Sequence, residues 1–172
     1  MNLSLAQWRR TNIVKTIERT LQDCECDPRC LELEITERVF PIPDETDFLV
    51  GISYLRQLGV TISIDDFGTG HSNLGRLLEL PVDRIKIDRS FIAGIGRPGN
   101  AEKITRSIIV LARSIGATVV AEGVERALQV EFLQSEGCDF GQGFYWAAPM
   151  SAENLVSWIS KAHMKSVLSS CC

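Results

Sequence analysis

The sequence contains no apolar run approaching the ~20 residues that a membrane-spanning helix needs. It has no basic excess either: 18 Lys and Arg stand against 22 Asp and Glu, for a formal net charge of -4. That balance excludes broad binding to a nucleic-acid polymer or an anionic membrane surface, both of which need a basic footprint. A local basic pocket for a small phosphate ligand stays open. The opening MNLSLAQWRR lacks the order of a signal peptide, so a cytoplasmic chain is expected. Histidine is scarce, with only two in the chain, and the six cysteines lack the paired C-x-x-C units of a zinc site. Cys24, Cys26 and Cys30 cluster in CECDPRC, and Cys171 and Cys172 end the chain. They are expected to be reduced thiols, with Cys30 and Cys138 serving as small apolar residues beside strands. Tandem repeats, low-complexity segments and linkers are also missing.

The 172 residues suffice for one domain with a real core. Two hydrophobic periods alternate along them. A helical period covers about 5–22, and another runs from the proline-broken PIPD segment to Gly59. Helices are expected at 101–115 and 126–136, each ending before a glycine, and from Ser151 onward. A short helical stretch is expected within DDFGTGHSNLGRLLELP. LELEI, VTISID, DRIKID, ATVVAE and CDFGQGFYW read as strands. Strand and helix in repeated alternation imply an α/β fold with a parallel sheet. After Ala162 the pattern fades, and 163–172 is expected to be a disordered tail.

Residues two apart in a strand share a face. Ile62 and Ile64 thus oppose Thr61, Ser63 and Asp65. Ile85 and Ile87 oppose Arg84, Lys86 and Asp88. Val119 and Ala121 oppose Thr118, Val120 and Glu122, while Leu33 and Ile35 oppose Glu32 and Glu34. An open doubly wound sheet normally buries both faces as near-continuous apolar strands. A β/α barrel tolerates acids near the C-terminal strand ends, where its active site lies. Glu34, Asp65, Lys86 and Glu122 share parity at equivalent strand ends, so they are expected to converge on one pocket. Acids brought together repel one another unless a cation or a proton is shared. An oxygen-rich cluster of this kind suits Mg²⁺ or Mn²⁺, which points to a metal-dependent hydrolase of a phosphate ester. Blander readings compete residue by residue. Glu32 fits a salt bridge lower in the barrel as well as a site role, and Lys86 with Asp88 fits a structural ion pair. Phe67 fits a cover for the barrel, Gln142 between two glycines fits a bulge, and Trp8, Trp146 and Trp158 fit packing. His71 has no patterned partner.

LELEITE, IDDFGTGHSNL, LPVDRIKIDRSFI, VVAEGVE and GCDFGQGFYWAAPM, in that order after an opening MNLS, resemble the EAL domain family from Asn2 to about Ile159. The resemblance implies a modified TIM barrel that hydrolyses cyclic di-GMP to linear pGpG with two Mg²⁺ or Mn²⁺ ions. By position, Asn2, Glu34, Asp65 and Glu122 resemble metal ligands, and Asp66 a ligand of the second metal. Lys86 resembles the lysine that contacts the attacking water. Glu37 resembles the glutamate that anchors the DDFGTG loop, residues 65–70, which in the family couples metal, substrate and dimer contacts. Asp88 and Glu125 resemble supporting pocket residues, and Gln142 one near the water and substrate. The family's namesake E-A-L segment, with a metal-binding Glu and a substrate-binding Arg, lies upstream of the MNLS-like segment. A β/α barrel typically takes ~250 residues. The expectation is therefore an incomplete TIM-type barrel over 1–162, lacking roughly two strands and most of a third, with weakened activity. The alternative is a non-catalytic EAL module that binds cyclic di-GMP or a partner protein. Homodimerisation is expected through the DDFGTG loop or the exposed barrel edges.

Overall fold

The fold was analysed in a computed structural model, which describes residues 1–4, 7–8, 12–37, 45–70 and 74–169. Six strands form one parallel sheet in sequence order: β1 (Asn2–Leu3), β2 (Glu32–Thr36), β3 (Thr61–Phe67), β4 (Arg84–Ile87), β5 (Thr118–Glu122) and β6 (Phe140–Gln142). Helices follow the strands: α1 (Ile13–Asp23), α2 (Glu45–Gln57), α3 (Leu74–Glu79), α4 (Arg89–Gly94), α5 (Ala101–Ser114), α6 (Ala127–Glu136) and α7 (Ala152–Ser169). The sheet is open, with β1 and β6 as its edges. None of these helices is long and apolar enough to cross a membrane.

Alternation along each strand decides the two faces. Leu33, Ile35, Ile62, Ile64, Ile85, Ile87, Val119 and Ala121 are all at most 2% exposed and face the helices. Helix residues such as Ile17, Phe48, Ile52, Leu55, Ile92, Ile109 and Leu133 complete that core. Each such side chain contributes roughly 1.5–3 kcal/mol of hydrophobic stabilisation. Trp8 packs edge-on against Phe48 with ring centroids 4.7 Å apart. A Cβ at Gly51 would lie 2.5 Å from the Trp8 ring, so α2 needs glycine there. The expected helix stops Gly59, Gly116 and Gly137 all have positive φ, a conformation glycine adopts without steric cost.

The opposite face is concave, and side chains from alternate strands meet over it, as in the layered interior of a barrel. In one layer Arg84 of β4 reaches Glu32 of β2 at 2.6 Å, and its guanidinium lies 5.1 Å from the Phe140 ring of β6. In the next layer toward the C-terminal strand ends, Lys86 of β4 reaches Glu34 of β2, also at 2.6 Å. Glu32 thus holds the lower salt bridge that the sequence left open.

Four elements differ from expectation. Of the helix expected over about 5–22, Gln7 and Trp8 are helical and α1 starts at Ile13, where Asn12 caps it through the Lys15 N–H; 5, 6 and 9–11 lie outside the described residues. A short helix, α4, directly follows β4, because Asp88 accepts the Ser90 N–H and caps it. The last strand is cut to Phe140–Gln142. Gly143 presses against the Val124 backbone, where a Cβ would collide, and the chain turns there. Finally, α7 continues to Ser169, so helical backbone covers most of the segment expected to be disordered. That stretch holds Met, Lys and Leu and no Gly or Pro, a composition compatible with helix. His71 and 170–172 lie outside the described residues.

Candidate active site

The site lies at the C-terminal ends of β2 to β6. Its foundation is the register between β3 and β4. Ile64 pairs with Ile85 and Phe67 with Ile87, so β3 advances three residues while β4 advances two. The extra residue falls in the Asp65–Asp66 doublet and makes a β-bulge, a device common beside active sites. Asp66 takes a left-handed backbone with φ 54°, and its N–H donates to Asp65 Oδ1 at 3.0 Å. The chain then turns into the 65–70 loop. Glu37, just past the end of β2, secures that loop: its Oε2 accepts the N–H of Gly68 at 2.8 Å and of Gly70 at 3.1 Å. A Cβ on Gly70 would come within 3.1 Å of the Glu37 carboxyl carbon, so this approach favours glycine.

Lys86 stands at the centre and is only 7% exposed. Its Nζ lies 2.6 Å from Glu34 Oε1, 2.6 Å from Glu122 Oε1 and 3.3 Å from Asp65 Oδ1. Burial alone would lower its pKa. The hydrogen bonds to Glu122 and Glu34 and the charges of Glu122 and Asp65 outweigh burial and hold it above the ordinary lysine range. Burial raises the Glu122 carboxyl pKa; the Lys86 hydrogen bond and charge oppose that rise, and the charges of Asp65 and Glu34 add to it. Gln142, in register with Glu122, donates from Nε2 to Glu122 Oε1 at 2.9 Å.

The Lys86 ammonium thus meets the carboxylates of Glu34, Asp65 and Glu122. Ligand oxygens of Asp65, Asp66 and Glu122 lie within 4.8 Å of one another. A cluster of hard oxygen donors of this kind fits divalent cations such as Mg²⁺, Mn²⁺ or Ca²⁺. Asn2 stands beside Glu34 in the β1–β2 register. Asp88 serves α4 as its cap; burial works against ionisation there, but the Ser90 hydrogen bonds and the Arg89 charge hold its carboxyl below the usual range. Glu125 lines a cavity of about 490 Å³ with Arg89, Gln142, Phe144, Met150 and Trp158. The structure therefore brings Glu34, Asp65, Asp66, Lys86, Glu122 and Gln142 together. Glu37 sits under the loop, and Asp88 and Glu125 lie toward the flank.

Arg89 and the loop-bracing pair Arg126 and Gln129 were not singled out from sequence. An N-cap usually announces itself as Ser or Thr followed three residues later by Glu or Gln. Here the glutamine is present, but arginine stands at the cap.

The EAL domain family model matches residues 1–149. The chain is 38% identical over 159 residues to the signaling protein YkoW of Bacillus subtilis, covering 92% of this chain and 20% of that protein. It is 39% identical over 160 residues to the bifunctional diguanylate cyclase/cyclic di-GMP phosphodiesterase MucR of Pseudomonas aeruginosa, covering 93% of this chain and 23% of MucR. The solved MucR phosphodiesterase in complex with c-di-GMP superposes with a TM-score of 0.83 at 40% identity, over 90% of this chain and 62% of that one. Klebsiella pneumoniae BlrP1, solved as a manganese/cy-diGMP complex, gives a TM-score of 0.76 at 30% identity, over 87% of this chain and 38% of its own. The chain spans about a fifth of the length of these two curated relatives.

Proposed function

The chain belongs to the EAL domain family, and from that footing we propose that it hydrolyses cyclic di-GMP to linear pGpG with two divalent metal ions. The observation that carries this reading is Lys86 held among Glu34, Asp65 and Glu122, with Asp66 in the same carboxylate group. Asp65, Asp66 and Glu122 would hold the metals, with Glu34 and Asn2 contributing from β2 and β1. When bound, the metals supply the positive charge that a phosphodiester and its attacking water both need.

The protein's own groups do the rest. Lys86 acts as a fixed positive donor toward the attacking water and the charge that develops on phosphate oxygens. Gln142 and Lys86 both hold Oε1 of Glu122, which sets the direction of the other carboxylate oxygen. Glu37 fixes the loop carrying Asp65 and Asp66. The adjoining cavity pairs the apolar walls of Phe144, Met150 and Trp158 with the polar groups of Arg89 and Glu125, a combination suited to a nucleobase. Asp88 supports that flank through its cap on α4.

The test incubates purified protein with cyclic di-GMP and Mn²⁺, beside Glu122→Gln, and separates the products by chromatography. Production of pGpG that Glu122→Gln abolishes is the expected result. No product from folded protein overturns the reading. Parallel Mg²⁺ and Mn²⁺ titrations identify the working metal.

A second reading is a binding-only EAL module, with the same carboxylate cluster holding ligand without turnover. It predicts calorimetric binding of cyclic di-GMP without hydrolysis. Homodimerisation, through the 65–70 loop or the sheet edges, is supported by β6, an edge strand whose three residues are all exposed, and light scattering checks it. The reading implies a reaction in the cytoplasm, where nucleotide pools lie.

A further inference from the structure

The loop that leaves β5, residues 123–126, is held on both sides. On the β6 side, the Val124 N–H donates to the Gln142 carbonyl at 3.0 Å, and the Tyr145 N–H donates to the Val124 carbonyl at 2.9 Å. The other side is held by Gln129, a polar side chain only 2% exposed. Its Oε1 accepts the N–H groups of Glu125 and Arg126, both at 2.8 Å. Its Nε2 donates to the Ile92 carbonyl in α4, also at 2.8 Å. Arg126 adds a parallel link, with Nη2 donating to the Ile95 carbonyl at 2.6 Å. Gly123 fits close against the start of α4, where a Cβ would lie 2.7 Å from Arg89 Cβ.

These contacts close a circuit. Lys86 is followed at once by Ile87, Asp88 and then α4. The Ile92 carbonyl of α4 meets Gln129, and Gln129 holds the loop that begins one residue after Glu122. Glu122 returns to Lys86 at 2.6 Å. We infer that Gln129 is a positioning residue that sets the Glu122 carboxylate relative to Lys86 and the other metal-binding acids. A buried amide suits this task because one planar group accepts from the loop and donates to the neighbouring helix. Groups that orient metal ligands from behind typically change metal affinity 10- to 100-fold when removed.

The rival role is helix capping alone, and Gln129→Glu separates the two. Glutamate keeps the acceptor for the Glu125 and Arg126 N–H groups but cannot donate to Ile92 when ionised. Capping alone predicts wild-type Mn²⁺ affinity in Gln129→Glu. Positioning predicts Mn²⁺ affinity weakened about tenfold by calorimetry, and a fall in kcat larger than any change in KM. Arg126→Ala, which leaves Gln129 intact, is expected to weaken Mn²⁺ binding less. If Gln129→Glu fails to fold, Gln129→Met, which also removes the donor to the Ile92 carbonyl, carries the test, and wild-type Mn²⁺ affinity in it overturns the proposal. The kinetic arm rests on the phosphodiesterase reading; the metal arm does not. Wild-type protein that binds Mn²⁺ but makes no pGpG overturns that reading alone, whereas wild-type metal affinity in Gln129→Glu overturns the positioning role alone.

Discussion

Lys86 and Glu34 meet at 2.6 Å although β3 lies between their strands. The pair sits one layer above Arg84 and Glu32, which join the same two strands at the same distance. Two cations stacked on β4 thus draw the carboxylates of β2 across the concave face. The lower pair is partly open to solvent; the upper lysine is buried.

Replacing Lys86 by Met leaves Glu34, Asp65 and Glu122 facing one another without their ammonium. Removing one member of a buried ionic group costs about 3–5 kcal/mol. The melting temperature of Lys86→Met is expected to fall well below wild type at pH 8. It should recover partly with Mn²⁺, which supplies positive charge among the same carboxylates. Hydrolysis should fall by roughly 10²- to 10³-fold, the loss seen when one oriented donor is removed.

Asp66 separates metal binding from folding. Its φ of 54° suits glycine better than a residue with a side chain. Asp66→Gly is expected to melt at or slightly above the wild-type temperature yet bind Mn²⁺ at least tenfold more weakly. Calorimetry and thermal melts on the same sample check both halves.

Glu37 has a mechanical task, holding the N–H groups of Gly68 and Gly70 on one oxygen. Hydrogen bonds to a charged group contribute about 1.5–3 kcal/mol each. Glu37→Ala is expected to speed amide exchange of the 65–70 loop by at least tenfold while exchange in β4 and β5 stays slow. Hydrogen-exchange mass spectrometry reads both segments together. Glu37→Gln, which retains an acceptor, should fall between.

Burial pushes the Cys138 thiol up to about 11 from 9.0. Below pH 9 the thiol is protonated whether the chain is folded or unfolded. Between 9 and 11 the unfolded chain loses the proton first, so this group's contribution to stability falls as pH rises through that window. Cys138→Ala should therefore show a shallower loss of melting temperature from pH 9 to 11 than wild type. Peptide mapping after brief iodoacetamide treatment at pH 8.5 should find the exposed Cys24, Cys26 and Cys30 alkylated ahead of Cys138.

The period of two made most of the candidate site legible. Glu34, Asp65, Lys86 and Glu122 share a strand parity, and strand parity is written in the local sequence. The helix stops at Gly59, Gly116 and Gly137 were legible for a similar reason, since each marks a backbone that side chains disfavour. Register between strands is not local, so the bulge opposite Lys86 could not be read from TISIDDF. The length of β6 was hidden because the turn at Gly143 depends on contact with Val124, nineteen positions earlier in the chain. Helix α4 was missed because it is only six residues long, too short to display a period. Gln129 escaped notice because its partners lie on another helix, 37 positions away for Ile92.

The bulge at Asp65–Asp66 also acts as a phase shift in the strand's alternating code. Strict alternation after Ile64 would send Asp66 toward the helices and bring Phe67 out over the acids. One inserted residue cancels that outcome: Phe67 pairs with Ile87 and is 4% exposed, while Asp66 stays in solvent. An acid doublet can therefore end a strand of the core without either charge entering oil. Deleting a single residue here would do more than remove one carboxylate. It would restore the beat of the strand and force the fold to choose between a buried carboxylate and a stranded phenylalanine.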